Sequence, residues 1–231
     1  MAESLAHATA AHGGHHHHPA QQHQFETMVQ QKESVTLGMW VFLAQEVMFF
    51  GGLFMAYLLY RVWYPAAWAE GSQELDVMLG GINTVVLIGS SLTMAFAVRC
   101  AQLGQNKATR NWLLLTLVLG LVFVVIKGFE YYHKFEMHHI PGADFVFHGP
   151  NADQIQIFLS LYFMMTGLHA LHMLIGFGIL AWIAGMAHKG RFSPEYYSHV
   201  EMAGLYWHFV DIVWIFLFPL LYLVDRVHHV G

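Results

Sequence analysis

Five long apolar stretches constrain this chain more than any other feature of its sequence. Each has more than 20 residues, enough for a helix to cross the ~30 Å hydrocarbon core of a membrane at about 1.5 Å per residue. Only 11% of the residues are charged, against roughly 25% in a typical soluble domain. We therefore predict an all-α, polytopic membrane protein with five transmembrane helices, at residues 35–60, 77–101, 111–132, 154–187 and 199–224.

The basic residues of the connections predict how the helices are oriented. One side of the membrane receives Lys32 and the basic residues around the second and fourth connections. The other side carries its basic residues among more numerous acidic ones. Because cytoplasmic loops are enriched in Lys and Arg, we expect the N-terminus inside and the C-terminus outside. The residues on the predicted inner side are Lys32, Arg99, Lys107, Arg110, Lys189 and Arg191.

The first 33 residues differ in composition from the rest of the chain. They are polar and rich in histidine, with a run from His15 to His18, and hold too little apolar surface to form a core. We expect a disordered tail at residues 1–33 and a transmembrane domain at residues 34–231. The tail lacks the basic and then apolar pattern of a signal peptide, so we expect the first helix to direct insertion. The single cysteine, Cys100, excludes an internal disulfide.

Several ionisable residues interrupt the apolar segments at similar depths. Glu46 lies in the first segment, and His169 and His172 share a face of the fourth. His208 and Asp211 share a face of the fifth. Ionisable residues within a membrane usually face the bundle interior and pair with one another. We therefore hypothesise that members of this set converge in one buried polar cluster.

Three roles are open for such a cluster. Hydrogen-bonded polar packing that fixes the contacts between helices accounts for it without a ligand. Proton handling by Glu46 is a second role, because this carboxyl group lies about 15 Å from the inner end of its helix. A redox metal or haem is a third, but haem ligands are expected on facing helices rather than as one pair on a single helix. We therefore predict no metal site in this chain.

Each apolar segment contains a motif with small residues, and four of the five motifs also contain an ionisable residue. In chain order the motifs are GMWVFLAQEVMFFGGLFMAY, INTVVLIGSSLTMAFA, KGFEYY, TGLHALHMLIG and EMAGLYWHFVDIVWIFLFPLLY. Together they resemble subunit III of the haem–copper respiratory oxidases, chiefly cytochrome c oxidase. The likeness covers residues 34–225, nearly everything outside the His-rich tail.

The resemblance implies an accessory subunit of an oxygen-reducing enzyme complex, without a catalytic centre of its own. Such a subunit lies against oxidase subunit I, stabilises it, holds phospholipid and supports proton uptake. Haem and copper are then expected in the partner subunits, and no cofactor in this chain. The family's membrane carboxylate corresponds to Glu46 here. Candidate contacts for lipid headgroups are Arg99, Lys189 and Arg191, and further motif residues are Glu130, Glu201, Tyr206 and Trp207.

The chain is similar to the five-helix form of this family, which lacks the first two helices of the seven-helix form. That form indicates a bacterial inner membrane and leaves one wall of the lipid cleft to another subunit. The electron donor stays open, with cytochrome c expected, quinol as the alternative and a nitric oxide reductase association as a third. An independent proton or metal transporter is the competing class. It is disfavoured because the sequence shows no convincing internal repeat.

Overall fold

Helices joined by short connections make up the architecture. The computed structural model describes residues 25, 27–137, 141–142, 145, 150–194 and 196–223. Five of its helices are long and apolar enough to cross a membrane, which confirms the predicted all-α fold with five candidate spans. The described elements are α1 (Met28–Trp63), α2 (Pro65–Gln73), α3 (Val77–Gln102), α4 (Asn106–Glu136), α5 (Ala152–His188), α6 (Ser198–Phe218) and the π-helical turn Pro219–Leu223.

Helix α1 begins seven residues before the predicted start. Thr27 caps it, because its side-chain oxygen accepts a hydrogen bond of 3.1 Å from the backbone N–H of Gln30. Residues 28–33 therefore belong to α1 and not to the tail, which corrects the predicted boundary. The other tail residues, 1–24 and 26, lie outside the described residues. With 36 residues, α1 is about 54 Å long and extends beyond the hydrocarbon core.

A short helix that the apolar pattern did not predict, α2, follows α1 directly. Pro65 starts it, since the fixed φ of proline suits the first turn of a helix and its missing N–H costs nothing there. Trp68 is fully buried and packs on Tyr57 and Phe158. A Cβ on Gly71 would lie 2.6 Å from the Phe158 ring, so only glycine allows this close approach. The α2 helix thus closes one end of the bundle.

Helix α6 is the central helix of the bundle. It packs against α3, α5 and α1, while α4 packs between α3 and α5. More than half of its residues are buried, whereas α1 buries only Glu46, Phe50 and Tyr57 among 36. Helix α1 is therefore the most peripheral of the five long helices. The outer face of α1 is exposed on the surface of the bundle.

The indole of Trp207 fixes the spacing of four helices. A Cβ on Gly176 of α5 would lie 2.8 Å from the indole, and one on Gly120 of α4 would lie 3.0 Å from it. The indole N–H donates a 2.9 Å hydrogen bond to Ser90 on α3. Small residues let membrane helices approach closely, and a buried indole N–H needs an acceptor. This contact sets how α6 is rotated, and hence where its ionisable residues point.

Candidate functional site

Glu46 and His172 form a pair between α1 and α5. The Glu46 Oε2 and His172 Nε2 atoms are 3.2 Å apart, and both side chains are largely buried. The His172 Nδ1 lies 2.7 Å from the carbonyl oxygen of Leu168, and because a carbonyl can only accept, Nδ1 carries a proton. The hydrogen bond between Nε2 and Glu46 therefore needs one further proton, held by either partner. The pair is electrically neutral overall in both arrangements.

Helix α6 and an aromatic ring frame this pair. The hydroxyl of Tyr206 donates a 2.9 Å hydrogen bond to the backbone carbonyl of His172. The Phe50 ring lies 5.2 Å from the imidazole, between centroids. Glu46 is 9% exposed, so its carboxyl group is shielded from the lipid side of α1. The arrangement can hold one proton in an apolar environment.

His208 has a different partner. Its Nδ1 lies 2.7 Å from the hydroxyl oxygen of Ser91, which joins α6 to α3. Asp211, one turn further along α6, is buried, yet neither carboxylate oxygen has a hydrogen-bond partner among the described residues. Ser91, His208 and Asp211 all line a groove between α3 and α6.

His169 lies in an aromatic enclosure. It is 1% exposed, and neither ring nitrogen has a hydrogen-bond partner within the described part of the chain. The rings of Phe123 and Trp214 lie 5.5 Å and 5.3 Å away. The structure thus brings Glu46 and His172 together but places His169, His208 and Asp211 elsewhere. The five predicted residues do not meet in one cluster, because periodicity fixes the shared face of a helix and not its neighbour.

Among the described residues, a dense buried polar network lies around Lys127, where the sequence did not predict one. Its Nζ donates to Glu130 Oε2 (2.9 Å) and to the hydroxyls of Tyr222 (2.7 Å) and Tyr162 (3.2 Å). Both hydroxyls in turn donate to Glu130 Oε1, over 2.8 Å from Tyr162 and 2.6 Å from Tyr222. All three protons of the ammonium group and both carboxylate oxygens are therefore used. The signal in the sequence was the i, i+3 spacing of Lys127 and Glu130 within an apolar helix.

The basic candidates for lipid contact lie near helix ends. Arg99, in the last turn of α3, donates to the Gln102 side chain at 3.4 Å. Lys189 caps α5, and Arg191 follows it. None of these three lines the groove of about 760 Å³ that lies between α1, α5 and α6.

The basic residue at that groove is Lys32. Its Nζ donates to the Tyr197 hydroxyl at 3.1 Å and lies 3.9 Å from Glu201 Oε2. Side chains such as Phe42 and Ile179 make the rest of the lining mainly apolar. The groove therefore combines an apolar interior with a cation at one end.

The described residues show no group of three or more His, Cys, Asp or Glu side chains that could hold a metal ion. Glu46 and His172 together provide two side chains of these types, one fewer than such a set needs. His169 is surrounded by aromatic rings. A single imidazole between rings without an adjoining carboxylate is a poor metal site. Glu46 and His172 are joined by a hydrogen bond instead.

Most of the sequence matches a known family. Residues 17–225 match the family model described as cytochrome c oxidase subunit III. The chain is 36% identical over 193 residues to cytochrome c oxidase subunit 3 of Corynebacterium diphtheriae, covering 83% of this chain and 88% of that protein. It is 34% identical over 212 residues to the Synechocystis protein of the same name, covering 91% and 79%. The chain therefore belongs to the cytochrome c oxidase subunit III family.

Proposed function

We propose that this chain is the accessory subunit III of a haem–copper respiratory oxidase in a bacterial inner membrane. The observation that carries the proposal is the family match over residues 17–225, together with five helices able to span a membrane. Relatives that carry the name cytochrome c oxidase subunit 3 favour cytochrome c as the donor to the complex. The chain contributes no catalytic centre; it lies against subunit I and stabilises it.

Lipid holding is supported by the groove between α1, α5 and α6. Its volume of about 760 Å³ and mainly apolar lining suit an acyl chain. Lys32 lies at one end, where its ammonium group can meet a phosphate, and Tyr197 and Glu201 keep it in place. A cation beside an apolar groove is the arrangement that an anionic phospholipid needs. Lys32 joins Arg99, Lys189 and Arg191 as a headgroup contact in this proposal.

Support of proton uptake is assigned to Glu46 and His172. Their 3.2 Å contact holds a proton in a buried position, and either partner can carry it. Moving that proton from Glu46 to His172 keeps the net charge of the pair at zero but creates an ion pair. The short contact between the two groups offsets part of the cost of separating these charges in apolar surroundings. Each partner therefore offers a site for a proton within hydrogen-bond reach of the other.

The assembly is tested by purifying the chain from its native membrane in mild detergent. We expect haem absorbance and a large polytopic partner in the same fraction, identified by mass spectrometry. The other subunits that co-purify identify the electron donor. A 26.3 kDa chain that carries no haem, even when membranes are cross-linked before solubilisation, contradicts the proposal and reopens the transporter class.

The role of Glu46 is tested by comparing Glu46→Gln with Glu46→Leu in the intact complex. Both remove the titratable group, so we expect both to lower proton-coupled turnover or to shorten the active lifetime, with haem content unchanged. Gln45→Leu on the exposed face of α1 is the matched control. Normal turnover and lifetime in Glu46→Gln, with a loosened subunit only in Glu46→Leu, would assign Glu46 to packing alone.

A further inference from the structure

A groove between α3 and α6 has a polar floor and an apolar rim. Its volume is about 390 Å³, many times the ~30 Å³ that one water molecule occupies in the liquid. Ser91, His208 and Asp211 form the polar part of the lining. Ile88 and Ile212 belong to the apolar part, and both are about half exposed. The groove is therefore open to the surroundings of the chain at the depth of the hydrocarbon core.

Asp211 is a poorly satisfied polar side chain at this depth. It lies halfway between Ser198 and Leu223, is 2% exposed, and both its oxygens lack a hydrogen-bond partner among the described residues. The Ser91 hydroxyl oxygen lies 2.7 Å from His208 Nδ1, and this hydroxyl also interacts with the Asp211 carboxyl group. One hydroxyl has a single proton, so it can serve at most one of the two Asp211 oxygens. Buried carboxyl groups in membranes are costly unless a donor reaches them.

Lipid cannot complete this groove. Acyl chains have no N–H or O–H group, so lipid would cover the isoleucine rim and add no donor for the Asp211 oxygens. A helix from another membrane protein supplies both an apolar surface and one polar side chain. Hydrogen bonds of this kind between helices are a known means of association in membranes. The carboxyl group thus favours a protein partner that presents a complementary donor or cation.

We propose that the α3–α6 groove receives a membrane-spanning helix of another oxidase subunit, with an N–H or O–H side chain directed toward Asp211. The proposal rests on the proposed membership in an oxidase. The volume of the groove admits one large side chain, and the exposed isoleucines pack against the rest of the partner helix.

The test places a photo-reactive diazirine side chain at position Ile212 in the full complex, within native membranes. We expect cross-links to one membrane-spanning helix of an oxidase partner, and mass spectrometry of the linked peptides shows whether that helix has a donor residue. The control carries the same probe at Val118, an exposed position on α4, and should not give this cross-link. Cross-links from Ile212 only to lipid, or to a second copy of the chain, overturn the proposal.

Asp211 itself is tested by the amount of this chain retained per haem after detergent washing. Asp211→Leu removes the acceptor, and we expect about tenfold weaker retention, as for the loss of one hydrogen bond worth about 1.4 kcal/mol. Asp211→Asn keeps an acceptor and should retain most of the chain. If the unaltered chain, Asp211→Leu and Asp211→Asn are all retained equally, the role of Asp211 is overturned. If the complex contains haem but the probe at Ile212 cross-links only to lipid, the docking of a helix in the groove is refuted and the proposed function stands. If no haem-containing partner is found at all, the proposed function is refuted as well.

Discussion

Lys127 and Glu130 show how this chain keeps full charges inside an apolar bundle. The pair lies on one helix, and Tyr162 and Tyr222 from two other elements complete its hydrogen bonds. The ammonium group also lies 5.0 Å from the ring centroid of Trp214, where the negative face of the indole attracts it. Because every donor and acceptor is used, the network joins α4, α5 and the π-helical turn as one unit.

Removing one charge of this network should destabilise the protein more than removing both. Lys127→Met or Glu130→Leu alone leaves the other charge uncompensated, which costs about 3–5 kcal/mol in buried pairs. The double variant leaves no lone charge, so we expect it to lose less unfolding free energy than either single variant. Denaturation in mixed micelles, followed by tryptophan fluorescence, measures the four free energies. Losses that simply add in the double variant would contradict the predicted coupling.

For single residues, the sequence predicted how deep an ionisable side chain lies along its helix better than it predicted which neighbouring helix the side chain faces. Glu46 and His172 do meet at the predicted depth. His169 is on the same helix as His172 but ends between Phe123 and Trp214. The rotation of each helix about its axis decides this, and tertiary contacts such as the Trp207 indole set that rotation. Such contacts join residues far apart in the chain, so no local pattern contains them.

Among the helices, α5 and α6 depend on a glycine for their close approach. A side chain on Gly176 would collide with the Trp207 indole, whose position is held by the hydrogen bond to Ser90. Two residues along the same helix, Gly178 has open space where its side chain would be. A methyl group is therefore excluded by the indole at Gly176 but has room at Gly178.

Gly176→Ala should lower the free energy of unfolding by about 1–3 kcal/mol, the usual cost of overpacking. Gly178→Ala is the matched control and should change it by less than about 0.5 kcal/mol, because the added methyl group meets nothing. Thermal unfolding of the detergent-solubilised chain compares the two. Similar melting temperatures for both variants would show that the indole can move aside.

The end of α6 widens into a π-helical turn at Pro219. Proline has no backbone N–H, so the regular hydrogen-bond ladder cannot continue through it. Within the turn, the carbonyl of Leu220 accepts a 2.7 Å hydrogen bond from the Tyr57 hydroxyl. The same turn places Tyr222 beside Lys127. The turn thus fastens the peripheral helix α1 to the centre of the bundle.

Tyr57→Phe should loosen this attachment. Loss of the hydroxyl removes one hydrogen bond, worth about 1 kcal/mol. We expect faster amide exchange in the turn Pro219–Leu223 and in the C-terminal part of α1. Tyr60→Phe, which removes a hydroxyl from the same helix, is the control. An exchange rate in the turn that Tyr57→Phe leaves unchanged would mean that other contacts hold α1.

Across the whole molecule, the sequence predicted the five long helices because hydrocarbon thickness sets their minimum length. Helix α3 matches its predicted range to one residue, because Asp76 caps its first turn. Helices α1 and α4 are longer than predicted, since their polar ends continue beyond the apolar core. Apolar length therefore gives the spans, whereas helix ends outside the membrane depend on capping and packing.

The orientation of the whole bundle stays a prediction from its basic residues. We expect the connection between α3 and α4, around Gly104, to lie inside the cell. A fluorescent protein inserted there should fluoresce, and alkaline phosphatase fused after residue 231 should be active outside. Phosphatase activity at the Gly104 connection, with none at the C-terminal fusion, would reverse the orientation.

The ion pair of α4 bears on how the chain is synthesised into the membrane. Lys127 and Glu130 are one turn apart, so they can neutralise each other as soon as that turn forms. A nascent α4 can thus enter the membrane with its charges matched, before Tyr162 and Tyr222 have reached it. The two tyrosines then add their hydroxyls as α5 and α6 arrive. A chain truncated after α4 should still insert this helix, whereas Glu130→Leu in the same truncated chain should delay its insertion.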